Sequence, residues 1–205
     1  MKIKVCGMRS LENIDELMRL KPDYMGLIFY AKSPRYVGDL QMTDLHNIPD
    51  NVIKTGVFVN EDIAVINSLI NQLGLGAVQL HGSESPGICH QLRSKAIVIK
   101  AFGVDQNFDF EHLTNYADSV DYFLFDTKTD AHGGSGQIFN WQVLTNYKLD
   151  VPFFLSGGLS LENIENIKHI KHPDFYGVDL NSRFEIEPGL KDIDKLREAF
   201  NLLRD

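Results

Sequence analysis

Cysteine is scarce in this sequence, and long apolar runs are absent. Only two cysteines, Cys6 and Cys89, occur among the 205 residues, and they form neither a CxxC pair nor a cluster with histidine. This predicts reduced thiols rather than a disulfide framework or a zinc site. No stretch approaches the roughly 18 apolar residues of a membrane span, and the opening MKIKVCGMRS carries charges where an export signal would be apolar. We therefore expect a cytoplasmic protein with no membrane partner.

Positive charge is also in deficit. The chain has 20 Lys and Arg against 28 Asp and Glu, whereas nucleic-acid-binding domains usually present a basic face. The seven histidines are scattered without the spacing of metal ligands. Hydrophobic residues make up 43% of the chain, enough for a folded core. The composition predicts one globular domain over residues 1–205 that binds neither nucleic acid nor metal.

Eight short apolar runs alternate with amphipathic segments. Each run is rich in Val, Ile, Phe or Tyr, which is typical of β-strands, and strands that alternate with helices form parallel sheets through right-handed crossovers. The runs are 3–7, 24–30, 52–60, 76–82, 96–103, 121–126, 151–158 and 175–181. Eight units of about 25 residues each favour an α/β fold of the closed (β/α)₈ TIM-barrel type over an open doubly wound sheet.

Helices are predicted between these strands from capping residues and apolar periodicity. The residues expected to precede or open helices are Ser10, Asn60, Ser160 and Asp192. Gly74 is expected to end the helix that follows Asn60. Weaker patterns predict two further helices, at about 39–47 and about 109–117.

The loops that follow the strands of a barrel line one face, and active sites lie there. Strand alternation places Lys4 and Cys6 on the inward side of the first strand and Asp126 on the inward side of the sixth. A thiol and a carboxylate should therefore project into the mouth of the barrel, across a gap that a small ligand could fill.

A double glycine follows the seventh strand. In FFLSGGLSLENI, Gly157 and Gly158 come between a strand and a predicted helix, and bare backbone N–H groups beside a helix start favour phosphate. A tight turn explains a glycine pair equally well. Barrels commonly bind phosphate after strands seven and eight, so Asn181 and Ser182, after the eighth, strengthen the phosphate interpretation. A second glycine-rich stretch, 132–141, is either a lid over the ligand or a surface loop.

Seven motifs in this order resemble the phosphoribosylanthranilate isomerase family, and together they cover essentially the whole chain. They are KVCGMR (4–9), GLIFYAKSPRYV (26–37), KTGVFVN (54–60), VQLHGSE (78–84), FLFDT…GGSGQIFNW (123–141), SGGLSLENI (156–164) and GVDLNSRFE…PGLKD (177–192). The resemblance implies the Amadori rearrangement of N-(5′-phosphoribosyl)anthranilate to 1-(2-carboxyphenylamino)-1-deoxyribulose 5-phosphate in tryptophan biosynthesis. It implies a phosphorylated small-molecule substrate and no metal or organic cofactor.

The resemblance also implies roles for individual residues. Asp126 would protonate the furanose ring oxygen as general acid, and Cys6 would then remove the proton from C2′ as general base. Arg35 would hold the anthranilate end, with His81 and Asp179 as further substrate-binding residues. The phosphate-binding residues would be Gly157, Gly158, Asn181 and Ser182.

This chemistry requires a suitable pKa at each of the two groups. A free thiol has a pKa of about 8.5, so a modest depression would suit a base at neutral pH, and Lys4 is the candidate to supply it. The Asp126 carboxyl must keep its proton until it donates, which burial or a bound anionic substrate could arrange.

The sequence departs from the family pattern at three positions. Gln137 and Asn140 stand where the family more often has Lys and Asp, which could reduce the positive charge over the substrate. Arg183 stands where many members have Gly, and it either adds a phosphate contact or points to solvent.

Two alternative functions stay open at this point. One is a different phosphosugar isomerase or epimerase, although a metal-dependent epimerase needs a His/Asp cluster at the strand ends that this sequence lacks. The other is a barrel that binds a phosphorylated metabolite without turnover, which would have no need of the Cys6 and Asp126 pair. We expect the protein to be a monomer.

Overall fold

Eight parallel strands form a closed barrel in chain order, with the first strand hydrogen-bonded to the last. The structure is a computed structural model, and it describes residues 1–38, 45, 48–128 and 139–204. The strands are β1 (Lys2–Cys6), β2 (Tyr24–Ile28), β3 (Ile53–Phe58), β4 (Ala77–Leu80), β5 (Ile97–Val104), β6 (Tyr122–Thr127), β7 (Phe153–Leu155) and β8 (Phe175–Leu180). The predicted barrel and all eight predicted strands are confirmed.

Helices of two kinds connect the strands. The α-helices are α1 (Leu11–Met18), α2 (Ile63–Leu73), α3 (Pro86–Arg93) and α4 (Ile193–Arg204). The longer connections of 3₁₀ type are Phe110–Ser119, Trp141–Asn146 and Ile164–His169. Ser10 and Asp192 directly precede α1 and α4, as predicted. Among the described residues, no helix is long and apolar enough to cross a membrane.

The start of α2 differs from the prediction. Asn60 adopts a left-handed conformation, with φ 52°, and the cap is Asp62, whose side chain accepts a hydrogen bond from the N–H of Ala64. An acidic residue therefore caps the helix two positions after the predicted start. Gly74 ends α2 with φ 58°, the left-handed conformation that glycine adopts without steric cost.

The helix predicted directly after Ser160 is wrong in type and in start. Asn163 accepts from the N–H of Ser160 at 3.0 Å and donates from Nδ2 to the carbonyl of Gly158 at 2.8 Å. These side-chain bonds hold a turn, so a 3₁₀ helix begins only at residue 164. The segment near 109–117 is also 3₁₀ rather than α-helical. Most of the helix predicted at 39–47 lies outside the described residues.

Side-chain alternation separates two apolar clusters. The smaller cluster fills the barrel interior and contains Tyr24, Ala77, Ile99, Ala101, Leu124 and Phe154. The larger cluster lies between the strands and the surrounding helices, and it includes Ile3 and Val5. Lys4 is fully buried opposite these two residues, which confirms the predicted inward parity of the first strand.

A short antiparallel hairpin follows the eighth barrel strand. It consists of β9 (Glu185–Glu187) and β10 (Leu190–Lys191) and comes after a 3₁₀ turn at Ser182–Phe184. Asn13 of α1 holds the hairpin through both of its amide atoms, since Oδ1 accepts from the N–H of Lys191 at 2.7 Å and Nδ2 donates to its carbonyl at 3.0 Å. The hairpin is therefore held against α1, with the Lys191 side chain close to Gly7, the residue after Cys6.

Candidate active site

Cys6 ends β1 and is only 3% exposed. Burial raises the pKa of the Cys6 thiol above its ordinary value, while the ammonium groups of Lys4 and Lys191 lower it and the Asp179 carboxylate raises it. The net direction is upward. The prediction that Lys4 depresses this pKa is therefore right about the sign of its contribution and wrong about the outcome, because burial outweighs the nearby positive charge.

Lys4 and Asp179 form a fully desolvated ion pair beside the thiol. The Nζ of Lys4 donates to Oδ1 of Asp179 at 2.9 Å, and both side chains are buried. Burial lowers the pKa of Lys4, but the charges of Asp179 and Cys6 outweigh this and keep it above its ordinary value. Lys4 is therefore a stable cation next to the position where a thiolate would form.

Asp126 lies near the end of β6 and is 7% exposed. Its Oδ1 accepts from the N–H of Thr127 at 2.8 Å, and its Oδ2 lies 3.6 Å from Nε2 of His81. Burial raises the pKa of the carboxyl to about 6, and the negative charge of Asp179 adds to this rise. Burial thus supplies the direction of shift that a general acid would need.

His81 follows β4 and faces Asp126. Its Nδ1 lies 3.2 Å from Nε2 of Gln79, which can only donate, so Nδ1 accepts and the proton of a neutral ring is on Nε2. That assignment directs an N–H group towards Asp126.

A buried ion pair outside the barrel fixes the loop that carries His81. Lys100 donates to the carbonyls of Leu80 and Gly82 at 3.1 and 2.8 Å and lies 3.2 Å from Oε2 of Glu84. Glu84 in turn accepts from the N–H of Gly82 at 3.0 Å. Sequence reasoning assigned no role to Lys100 or Glu84, because neither lies on the inward side of a strand.

Arg35 is buried and engaged by a carboxylate that sequence reasoning missed. Its Nε donates to Oε1 of Glu185 at 2.9 Å, and its Nη2 donates to Oε2 at 2.6 Å. Lys191 also donates to Oε1 of Glu185, at 2.6 Å, and to Oδ1 of Asn181, at 2.7 Å. Glu185 and Lys191 both occur in the last of the seven motifs, but the sequence does not show which residues they contact.

Gly7 allows this cluster to approach Cys6. Its φ is 77°, and a Cβ added there would lie 2.7 Å from Cδ of Arg35 and 2.9 Å from Oδ1 of Asn181. Only glycine satisfies both the left-handed backbone and the close contact. The fold thus brings Arg35 and Asn181 against the residue next to the thiol.

The predicted phosphate loop lies directly beside Asp126. Gly157 and Gly158 both have positive φ, at 86° and 67°, and a Cβ on Gly157 would lie 2.8 Å from Oδ1 of Asp126. The expected helix N-terminus behind this pair is wrong, since the segment continues as the turn held by Asn163. Ser182 opens the 3₁₀ turn after β8, directly after Asn181.

The structure gives a different result for each of the three positions at which the sequence departs from the family pattern. Asn140 caps the 3₁₀ helix Trp141–Asn146 by accepting from the N–H of Gln142 at 3.1 Å, a structural role in this chain. Arg183 is exposed. Gln137 and most of the glycine-rich stretch 132–141 lie outside the described residues.

Comparisons with known proteins point to one family. A family model described as N-(5′-phosphoribosyl)anthranilate (PRA) isomerase matches residues 3–202. The chain is 48% identical to the N-(5′-phosphoribosyl)anthranilate isomerase of Parabacteroides distasonis, with 96% of this chain and 90% of the relative covered. The crystal structure of phosphoribosyl anthranilate isomerase from Thermotoga maritima is similar with a TM-score of 0.87 and 35% identity, over 100% of this chain and 98% of that one.

A second similar structure contains a ligand. It is phosphoribosyl anthranilate isomerase in complex with reduced 1-(o-carboxyphenylamino)-1-deoxyribulose 5-phosphate, with a TM-score of 0.82 and 31% identity over 100% of this chain and 98% of that one. The similarity to each of these proteins extends over at least nine-tenths of both chains.

Proposed function

The chain belongs to the N-(5′-phosphoribosyl)anthranilate isomerase family, and we propose that Asp126 is the general acid and Cys6 the general base of its reaction. The reaction is the isomerisation of N-(5′-phosphoribosyl)anthranilate in tryptophan biosynthesis. The observation that carries this proposal is their placement at the carboxyl ends of β6 and β1, both buried and both facing the mouth. With the family established, the alternatives of an epimerase and of a binding-only barrel are set aside.

Asp126 begins the reaction. Its carboxyl proton goes to the furanose ring oxygen, the bond between C1′ and that oxygen breaks, and the anthranilate nitrogen forms a protonated Schiff base with C1′. In the free protein the pKa of about 6 leaves part of the carboxyl protonated near neutral pH. The substrate brings a carboxylate and a phosphate, and their negative charge raises this pKa further. Substrate binding should thus increase the fraction of Asp126 that is protonated.

Cys6 completes the reaction. Its thiolate removes the proton from C2′, and the electron pair of that C–H bond forms a C1′–C2′ double bond while the Schiff-base nitrogen takes back its electron pair. The resulting enolamine tautomerises to the ketone as the C2′ hydroxyl loses a proton and C1′ gains one. Net return of the proton from Cys6 to Asp126 restores both groups. Burial raises the pKa of the free thiol, so the thiolate is a minor species before the ring opens. The cationic Schiff base makes the C2′ proton more acidic, and Lys4 and Lys191 lower the cost of the thiolate. The step therefore follows ring opening.

The remaining residues bind and orient the substrate. Glu185 occupies the Nε and Nη2 edge of Arg35, so the anthranilate carboxylate would meet the Nη1 edge. The phosphate would lie against the backbone of Gly157 and Gly158 and of Asn181 and Ser182. His81 would hold Asp126 in place through its Nε2–H, and Asp179 would hold Lys4.

Acid–base chemistry of this kind requires no cofactor. We propose that the protein is a monomer that acts as one domain over residues 1–205. We propose a cytoplasmic location, since the reaction belongs to a biosynthetic pathway. Size-exclusion chromatography with light scattering tests the monomer.

Two experiments test the proposed roles. Purified protein is added to freshly generated phosphoribosylanthranilate, and loss of the anthranilate fluorescence is followed for the wild type and for Cys6→Ser, which keeps the shape but raises the side-chain pKa far above neutral. Near-normal turnover by Cys6→Ser would place the base elsewhere. A crystal structure with a product analogue should show its phosphate against Gly157 and Gly158, and a phosphate elsewhere would overturn that assignment.

A further inference from the structure

One buried ammonium group connects the two ends of the proposed substrate site. Lys191 is 1% exposed, and its Nζ contacts Glu185 at 2.6 Å and Asn181 at 2.7 Å. Glu185 is the carboxylate that engages Arg35, and Asn181 belongs to the proposed phosphate loop. No reaction step derived above places Lys191 in contact with the substrate.

We propose that Lys191 is a positioning residue that holds Arg35, through Glu185, and Asn181 in one rigid frame, so that the carboxylate and phosphate ends of the substrate bind at a fixed separation. The proposal rests on the binding roles proposed above for Arg35 and Asn181. In substrate binding Lys191 acts through these two residues, separately from its electrostatic effect on the Cys6 thiol.

The contacts of Glu185 support a fixed frame. Its carboxylate accepts from Arg35 and Lys191 and also from the N–H of Gly189 at 3.1 Å, so both oxygens are occupied by donors. A carboxylate with several charge-assisted bonds is held in place and cannot swing towards the substrate. Glu185 therefore holds Arg35 in a single orientation.

The backbone of Lys191 is fixed as well. Asn13 of α1 accepts from its N–H and donates to its carbonyl, so the β10 end of the hairpin cannot slide. Burying an ammonium group is unfavourable unless its partners are well placed. Burial lowers the pKa of Lys191 to about 8, with Glu185 opposing the shift. An apolar side chain of similar size would avoid this cost, which argues that the charge serves the site.

Fragment inhibition tests the frame. Anthranilate and ribose 5-phosphate each represent one end of the substrate, and their inhibition constants are measured for the wild type, Arg35→Ala, Asn181→Ala and Lys191→Met. We expect Arg35→Ala to weaken anthranilate alone and Asn181→Ala to weaken ribose 5-phosphate alone. Lys191→Met should weaken both, each by about tenfold or more, because a charge-assisted contact is lost at each end. Lys195→Met, at an exposed lysine nearby, is the matched control and should weaken neither.

Each result has one meaning. If Lys191→Met leaves either inhibition constant unchanged while Arg35→Ala and Asn181→Ala behave as expected, the frame is wrong and the binding roles stand. If Arg35→Ala does not affect anthranilate, or Asn181→Ala does not affect ribose 5-phosphate, the binding roles and the frame both fail. Should Lys191→Met not fold, as judged by circular dichroism, Glu185→Gln decides: weaker anthranilate with unchanged ribose 5-phosphate supports the frame, and unchanged anthranilate overturns it.

Discussion

The two halves of the barrel mouth differ in their charge. The base half, where β1 and β8 end, surrounds Cys6 with the buried ammonium groups of Lys4 and Lys191. In the acid half, which contains the proposed acid and where β4 and β6 end, Lys4 lowers the pKa of Asp126 by less than burial and the charge of Asp179 raise it, and Nε2 of His81 lies 3.6 Å from the carboxyl. Burial raises the pKa in both halves, but it assists an acid that must keep its proton and opposes a base that must lose one. A buried base therefore needs cations beside it to lose its proton, whereas a buried acid keeps its proton without them.

Asp179, in β8 of the base half, acts on both halves. Its negative charge raises the pKa of Asp126 and that of Cys6, while its ion pair with Lys4 keeps that cation in place. The carboxylate thus favours the protonated acid directly and favours the thiolate only through Lys4. The asymmetry of the mouth therefore depends on the geometry of this one ion pair.

The largest expected effect comes from deleting the reactive group of either half. Cys6→Ala and Asp126→Asn should each lower kcat by at least about 10²-fold with little change in KM, because a positioned acid or base contributes about 10²–10⁴ to the rate. The measurement is steady-state turnover by fluorescence. Cys89→Ala, at a buried thiol in α3, is the control and should keep normal kcat. Normal turnover by either site variant would remove that residue from the chemistry.

The next largest effect comes from removing the buried cation of the base half. Lys4→Met leaves the buried Asp179 carboxylate without its cation, and loss of one partner of a buried pair typically costs about 3–5 kcal/mol. The free energy of unfolding in urea should fall by that amount at neutral pH. The double variant Lys4→Met/Asp179→Asn should recover most of it, since no unpaired charge remains. A loss below about 1 kcal/mol in the single variant would contradict the assignment of a charged pair.

A smaller effect sharpens the acid half. The pKa of Asp126 is raised to about 6, so its carboxyl stays protonated in the folded state while the unfolded chain ionises near pH 4. The wild type therefore loses stability as pH rises from about 4 to 6, and the loss is complete above about pH 7. Asp126→Asn cannot ionise, so its stability relative to the wild type should increase by about 2–3 kcal/mol between pH 4 and pH 8. A difference independent of pH would show that the pKa is not raised.

Inward parity and strand order could be predicted from the sequence, because they depend on local alternation. The apolar runs predicted all eight strands, and alternation placed Lys4, Cys6 and Asp126 inside the mouth. Two features could not be predicted in the same way. The net pKa of Cys6 depends on burial by the whole fold, and the frame of Glu185 and Lys191 comes from a short hairpin without any periodic pattern.

Local competition explains the helix errors. The turn after Gly158 depends on the two hydrogen bonds of Asn163, and a helical pattern in LENIENIKHIK does not reveal which backbone group an Asn side chain selects. The same holds for Asn60, which precedes α2 in a left-handed conformation while Asp62 supplies the cap. Polar residues next to a helix start thus set helix boundaries that the periodicity of apolar residues does not predict.

The smallest expected effect is none at all, and it tests whether a metal ion contributes to either half. Exhaustive EDTA treatment followed by gel filtration should leave kcat and KM unchanged. Within the described residues, no group of three or more His, Cys, Asp or Glu side chains is arranged to hold a metal ion. Asp126 and Asp179 do not form a metal site by themselves, since the Lys4 ammonium already lies 2.9 Å from Asp179, where a metal ion would have to bind. A divalent ion would have to displace that buried ammonium at the cost of a charged pair. Activity that is lost with EDTA and restored by one divalent cation would show that the acid half depends on a metal, and Asp126 would then need a different role.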